Sequence, residues 1–125
     1  MYMKSKITWL RISFWIAALA DFGIGISILI PERVGLAEFV YPMGLASVVI
    51  ISWGIFLLIA DRKPIERRWV LIPTIIVVAL LNCVRIYATT NGMIDFSIAY
   101  LIFGVIILSI LIYSYINSKS LVEKN

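Results

Sequence analysis

Four polar side chains that lie within long apolar stretches could take part in chemistry: Asp21, Asn82, Arg85 and Tyr100. A charged group at the centre of a bilayer costs about 2.5–3.5 kcal/mol on insertion scales, so Asp21 and Arg85 are expected to face inward and to pair. A carboxylate beside a guanidinium, with an amide and a phenol in reach, can bind a polar ligand, exchange a proton or hold a quinone-type molecule.

Helix geometry predicts that these side chains lie at similar depths. With a rise of about 1.5 Å per residue, Asp21 lies about 14 Å from Ile30 and Arg85 about 8 Å from Thr90, an axial offset of about 6 Å. A long arginine side chain can cover that offset. Asn82 precedes Arg85 by three residues and therefore shares its helix face. The sequence thus predicts one inward-facing polar cluster, with the Tyr100 phenol at the level of Arg85.

The surroundings of the acid are also informative, because Ala17, Asp21 and Gly25 follow one another at helical spacing and form a small-residue face that lets a neighbour approach. Two interpretations stay open. The cluster either binds a ligand, a proton or a quinone-type molecule, or it only pins the helices in register while Arg85 reaches outer headgroups.

Composition excludes several other kinds of site. The chain has no histidine, and Cys83 is its only cysteine, so histidine-based triads, internal disulfides and cysteine-based metal sites are ruled out. No nucleophile–base pair or metal-ligand set is recognisable, which favours a non-enzymatic role without a metal or cofactor. An enzyme stays open only if the polar cluster meets a bound cofactor. Because no basic stripe alternates with aromatics, nucleic acid is not an expected partner.

The elements that must position the cluster are membrane-length helices. Of the 125 residues, 62% are hydrophobic and the mean hydropathy is +1.04, whereas soluble domains have roughly 45–50% apolar residues. The apolar runs predict spans at 7–30, 39–60, 69–88 and 96–116. We therefore expect an all-α protein, an integral membrane bundle of four transmembrane helices, as a single domain over 1–125.

Several residues between and after these spans indicate where helices end and where the chain turns. Pro31 is expected to end the first helix, Asn91-Gly92 to supply the positive φ of a tight turn, and the polar tail 117–125 to be frayed. The loop 61–68 is the densest charge cluster in the chain. Its basic residues are predicted to set the topology and to contact anionic headgroups: Arg62, Lys63, Arg67 and Arg68.

The distribution of lysine and arginine predicts the orientation, because loops on the cytoplasmic side carry an excess of both. One side of the predicted bundle holds Lys4, Lys6, Arg11, Arg62, Lys63, Arg67, Arg68, Lys119 and Lys124, and the other holds only Arg33. Both termini and the basic loop are therefore expected in the cytoplasm, for a multi-pass protein of the cytoplasmic membrane. This orientation places the polar cluster in the outer half of the bilayer.

A set of Gly, Pro and Arg positions extends over most of the chain: Arg11, Gly25, Pro31, residues 41–46 (YPMGLA), residues 60–64 (ADRKP), and Arg85 shortly before Asn91-Gly92. In this pattern the chain resembles the small DoxX-like and BphX-like membrane proteins. The resemblance implies a four-helix membrane bundle, of a kind sometimes associated with oxidoreductase systems.

The expected function is that of an accessory or small apolar-ligand or lipid-binding component. One alternative is a small transporter of the four-helix multidrug-exporter type that uses Asp21, although the biased loop charges disfavour the dual-topology members of that class. The other is a purely structural membrane interaction module. The expected partners are membrane lipids, with a membrane protein or a second copy of the chain as further options.

Overall fold

The computed structural model describes residues 2–30 and 37–123, and all regular structure in these residues is helical. The long helices are α1 (Tyr2–Ile28), α2 (Val40–Asp61), α3 (Leu71–Thr90) and α4 (Ile98–Asn117), followed by the short α5 (Lys119–Val122). Short 3₁₀ helices, Ala37–Phe39 and Arg68–Val70, lead into α2 and α3. Among the described residues, four helices are long and apolar enough to cross a membrane, as predicted.

The helix bounds differ from the predicted spans mainly at the first and third helices. Helix α1 begins at Tyr2 rather than at residue 7, since nothing in the short basic start breaks a helix. The third span begins as a 3₁₀ turn at Arg68, and its α-helical part runs from Leu71 to Thr90. The predicted stop at Pro31 lies outside the described residues.

The chain divides into two compact units. The first, here called the α3–α4 unit, comprises Met1–Ser13 and Pro64–Asn125, and the second, the α1–α2 unit, is Phe14–Lys63. Helix α1 therefore contributes its beginning to one unit and its remainder to the other. The assignment of 1–125 to a single domain stays a prediction.

The α1–α2 unit is held together by close approach at small residues. The Ser47 hydroxyl donates a buried 2.7 Å hydrogen bond to the carbonyl oxygen of Gly25. A Cβ atom on Gly25 would lie only 2.6 Å from Ile51 Cγ1, and one on Gly54 would lie 3.3 Å from the Ala18 carbonyl oxygen. Gly25, Ser47 and Gly54 thus let α1 and α2 approach closely.

The α3–α4 unit contains a pair of buried serines between the start of α1 and the end of α4. The Ser13 hydroxyl donates to the Ser114 hydroxyl over 2.5 Å, and Ser114 in turn donates to the Trp9 carbonyl oxygen over 3.0 Å. Both serine side chains are fully buried. Trp9 also packs edge-on against Tyr113, with ring centres 5.2 Å apart. These contacts fix the rotation of α1 against α4 within this unit.

The tail beyond α4 is ordered through Val122, so the predicted fraying from residue 117 is wrong for these residues. Lys6 Nζ donates a 2.5 Å hydrogen bond to the Ser120 hydroxyl, and Leu121 is buried. Polar composition alone suggested a solvated end. Its serine, however, accepts from a buried lysine, and its leucine covers apolar surface.

The turn after α3 is a Schellman motif. The Met93 amide donates to the Ala88 carbonyl oxygen over 2.9 Å, and the Gly92 amide donates to that of Thr89 over 3.1 Å. Gly92 has a φ of +67°. The predicted positive φ at the Asn91-Gly92 turn is confirmed.

Replacing Gly92 with alanine should destabilise the protein by about 1–2 kcal/mol, because a Cβ disfavours the left-handed conformation. The cost is conformational, since no described heavy atom lies within 4 Å of the added Cβ. Gly23→Ala is the matched control: its site is equally open but helical, so alanine should be neutral or stabilising by up to about 1 kcal/mol. Unfolding in mixed detergent micelles, followed by circular dichroism, measures both; equal effects would contradict the expectation.

Candidate functional site

The structure brings Arg85 and Tyr100 together in the α3–α4 unit. The guanidinium carbon of Arg85 lies 4.3 Å from the centre of the Tyr100 ring, a cation–π arrangement. The guanidinium belongs to the last third of α3 and the phenol to the first turn of α4, so the helix reversal at Gly92 makes them neighbours. Tyr100 is 55% exposed and Arg85 is half-buried. The pair therefore forms an accessible cationic patch on an apolar helical surface.

The Arg85 guanidinium has N–H donors that can bind a further group. Among the described residues of the α3–α4 unit, its partner is the Tyr100 ring. A ring face accepts the charge but leaves the five N–H groups of the fork without oxygen partners. Such a fork matches a carboxylate or phosphate through two parallel hydrogen bonds. Arg85 can thus bind an acidic group while Tyr100 holds its plane in place.

Asn82 is the third predicted residue in this unit, and it lies where α3 packs against α4. Its side chain faces Gly104 so closely that a Cβ atom on Gly104 would overlap the Asn82 amide oxygen and lie 2.9 Å from its Cγ. The Asn82 amide therefore occupies space that is available only because residue 104 has no side chain. Asn82 lies one turn before Arg85 on the same helix face, so it orients α3 beneath the cation.

Alanine at Gly104 should destabilise the wild-type protein by about 1–3 kcal/mol, because the new methyl group forces the Asn82 side chain to turn. In an Asn82→Ala background the same substitution should cost little, since the obstructing amide is gone. The double-mutant cycle, measured by detergent unfolding, should therefore show a coupling of about 1 kcal/mol or more. The same cost for Gly104→Ala in both backgrounds would show that the two positions are independent.

Asp21 belongs to the α1–α2 unit, where it lies beside α2. Its Cβ is 3.3 Å from the position of a Cβ added to Gly54. The Oδ2 atom is buried and has no hydrogen-bond partner among the described residues. A buried carboxylate oxygen without a partner is costly, which marks Asp21 as a second functional candidate. Its predicted pairing with Arg85, across the two units, stays a prediction.

The basic loop contains two kinds of residue. Arg62 and Lys63 are exposed, whereas Arg67 and Arg68 are half-buried. Arg68 is fixed to the end of α4: its Nε donates to the Ser118 hydroxyl over 2.6 Å, and its Nη2 donates to the Tyr115 carbonyl oxygen over 2.5 Å. The predicted contact of all four residues with anionic headgroups stays a prediction. Arg68 has a further role that a loop charge count cannot reveal, because it binds a carbonyl oxygen at the end of α4.

Gly54, Ser118 and Tyr115 are site neighbours that sequence reasoning did not assign. Gly54 lies beside Asp21, a neighbour that no sequence pattern indicated. Ser118 follows α4 as a helix-end residue, and only its contact with Arg68 distinguishes it from a solvated serine. In the described part of the chain, no group of three or more His, Cys, Asp or Glu side chains could hold a metal ion.

Comparisons of the chain with protein-family models, curated proteins and solved structures find no match. The resemblance to DoxX-like and BphX-like proteins therefore stays a prediction.

Proposed function

We propose that this chain is a four-span protein of the cytoplasmic membrane, with both termini and the basic loop inside, that binds a small apolar or amphiphilic ligand. The binding site is the Arg85–Tyr100 pair, in the outer half of the bilayer. The ligand is a lipid or quinone-type molecule with an acidic or strongly polarised oxygen group. The chain acts as an accessory component that holds this ligand, without carrying out chemistry of its own.

The membrane part of the proposal is supported by the nature of the helix surfaces. The four long helices expose many large apolar side chains, among them Leu80, Val84 and Tyr87 on α3 and Ile102, Phe103 and Ile106 on α4. A soluble monomer rarely exposes apolar patches of this extent, whereas lipid tails cover them without cost. The excess of lysine and arginine around the loop 61–68 supports its cytoplasmic position.

The ligand part is supported by one observation: the Arg85 guanidinium of one membrane-length helix lies over the exposed Tyr100 ring of the next. A lone cation in the apolar layer costs about 2.5–3.5 kcal/mol, and an acidic ligand group would offset that cost. The fork of Arg85 sets the orientation of the group, and Tyr100 adds an aromatic surface for the apolar part of the ligand. A site that combines a cation with an aromatic surface binds amphiphiles better than it binds simple ions.

A second candidate function is favoured by the orphaned carboxylate of Asp21. An acid with a buried, unpaired oxygen in a membrane-length helix can exchange a proton for a lipophilic cation, as in small multidrug exporters. On this alternative, vesicles that contain the protein accumulate a lipophilic cation when a pH gradient is applied, and Asp21→Asn abolishes the uptake. Gradient-independent uptake, or uptake that survives Asp21→Asn, would exclude it.

The ligand proposal is tested by mass spectrometry of the protein purified with native lipid. Wild type should retain one tightly bound amphiphile, and Arg85→Gln should reduce its occupancy about tenfold or more, as expected for the loss of a charge-assisted pair. Lys63→Gln, which removes an exposed positive charge from the loop, is the matched control and should leave occupancy unchanged. Equal occupancy in all three proteins, or no bound amphiphile in wild type, would overturn the proposal.

A further inference from the structure

The Asn82 amide lies in the α3–α4 unit beside the Arg85–Tyr100 pair. The side chain is half-buried between two membrane-length helices. Its Oδ1 atom is the one nearest to the position of a Cβ added to Gly104, and a glycine has no side chain that could bond the amide. Among the described residues, the amide has no hydrogen-bond partner. A polar group without a partner is costly in an apolar layer, so its N–H groups are suited to bind a ligand.

Asn82 and Arg85 offer their donors at two different depths. The two residues are three positions apart on α3, an axial separation of about 4.5 Å. Their neighbours on α4, Gly104 and Tyr100, are four positions apart, or about 6 Å. Because Tyr100 belongs to the first turn of α4, the guanidinium lies near the end of the helix pair. The amide lies about one helical turn farther into the apolar layer.

The two levels also differ in the oxygen that each one binds best. The guanidinium of Arg85 prefers an anionic oxygen, whereas the neutral N–H groups of Asn82 suit a carbonyl oxygen. A fatty acid has no second oxygen below its carboxylate, and a quinone has two carbonyl groups on one flat ring but no charge. A diacyl glycerophospholipid has an anionic phosphate and, closer to the membrane centre, the carbonyl oxygens of its two ester bonds. Its order of groups therefore matches the order of Arg85 and Asn82.

The helix surface beyond the amide is apolar. Toward the middle of the helix pair, Val77 and Leu80 of α3 and Ile106 of α4 are exposed. Such side chains contact acyl chains without loss of hydrogen bonds. A lipid whose phosphate lies at Arg85 would thus have its ester bonds at the level of Asn82 and its chains along these side chains.

We propose that the ligand of the Arg85–Tyr100 pair is a diacyl glycerophospholipid, with its phosphate at the Arg85 guanidinium and an ester carbonyl oxygen that accepts a hydrogen bond from Asn82 Nδ2. This inference rests on the proposed ligand site and names the class of its ligand. Arg85 provides most of the affinity, and Asn82 determines specificity for ester-linked chains. A dialkyl ether lipid has the same phosphate and chains but no carbonyl oxygen for Asn82 to bind.

The test uses the full chain, delipidated and reconstituted in an equimolar mixture of diacyl phosphatidylglycerol, dialkyl ether phosphatidylglycerol of the same chain length, and an isoprenoid quinone. Native mass spectrometry of wild type should show the diacyl lipid enriched about fivefold over the ether lipid, as expected for one net hydrogen bond. Asn82→Leu, a change to a side chain of similar size, should bind the two lipids equally. Asn117→Leu removes a half-buried amide at the other end of α4 and is the matched control, which should keep the preference.

Arg85→Gln separates this inference from the proposed function, because it should lower the occupancy of both lipids about tenfold. Equal binding of the two lipids by wild type, lost in Arg85→Gln, would overturn the ester inference and leave the ligand site in place. Preferential retention of the quinone, or an ester preference that survives Asn82→Leu, would overturn it as well. Occupancy of both lipids that is unchanged in Arg85→Gln would overturn the site itself. The comparison of the two lipids on wild type does not depend on how any variant folds.

Discussion

Leucine at Gly54 should destabilise the protein by about 3 kcal/mol, the upper end of the range for overpacking. Gly54 is buried between α1 and α2, and a Cβ there would already lie 3.1 Å from Phe22 Cε1 and 3.3 Å from Asp21 Cβ. The Ala18 carbonyl oxygen, at 3.3 Å, is backbone and cannot turn aside. A leucine side chain therefore forces the two helices apart around Asp21.

The matched control is Gly44→Leu on the same helix. No described heavy atom lies within 4 Å of a Cβ added to Gly44, so leucine there should be close to neutral. Both variants are compared with wild type by reversible unfolding in mixed detergent micelles. If Gly54→Leu costs no more than Gly44→Leu, α1 and α2 do not pack through Gly54.

Leucine at Ser114 should have an effect of similar size, about 3 kcal/mol, because it combines overpacking with the loss of hydrogen bonds. The Ser114 hydroxyl is fully buried, accepts from Ser13 and donates to the Trp9 carbonyl oxygen. The larger side chain leaves Ser13 only its 3.5 Å contact with the Ile110 carbonyl oxygen. The start of α1 should then detach from α4.

Ser109→Leu provides the control for this prediction. Ser109 is exposed on the same helix, and its hydroxyl bonds only to the Val105 carbonyl oxygen one turn earlier. On a surface that faces lipid, leucine should be neutral or slightly stabilising. Thermal and detergent unfolding should separate the two variants clearly. Equal stabilities would mean that the Ser13–Ser114 pair does not hold α1 against α4.

Hydropathy predicted the long helices well, because apolar runs such as 96–116 are too long for anything but a membrane-length helix. The turn at Asn91-Gly92 was also predictable, since glycine is the residue that adopts a positive φ without strain. These features are local. Each depends on residue types within a few positions of one another along the chain.

The partners across helices were not predictable in the same way. Which α1 residue faces Gly54, and which serine of α4 faces Ser13, depends on how each helix is rotated about its axis. Uniformly apolar helices carry little information on that rotation, because lipid-facing and helix-facing residues have the same character. The sequence therefore identified Asp21 as important but not Gly54 as its neighbour.

Charge counting had a related limit at the ends of the helices. It treated Arg68 as one of four equivalent topology signals and the residues after α4 as a solvated tail. The structure instead joins Arg68, Ser118 and Tyr115 into one contact, and Lys6 with Ser120 into another. A count of positive charges predicts a side of the membrane. It does not show which of the charges also bind backbone carbonyls, as Arg68 does at Tyr115.

Reporter fusions test the central claim most directly, namely that the chain crosses the membrane four times with its basic loop in the cytoplasm. A reporter that is active only outside the cytoplasm is fused after Lys63 and, separately, after Asn91, and a cytoplasm-active reporter at the same sites serves as the control. We predict activity outside the cytoplasm from the Asn91 fusion and none from the Lys63 fusion, with the control reversed. Activity from the Lys63 fusion alone, or equal activity from both, would contradict the claim and remove Arg85 from the outer half of the bilayer.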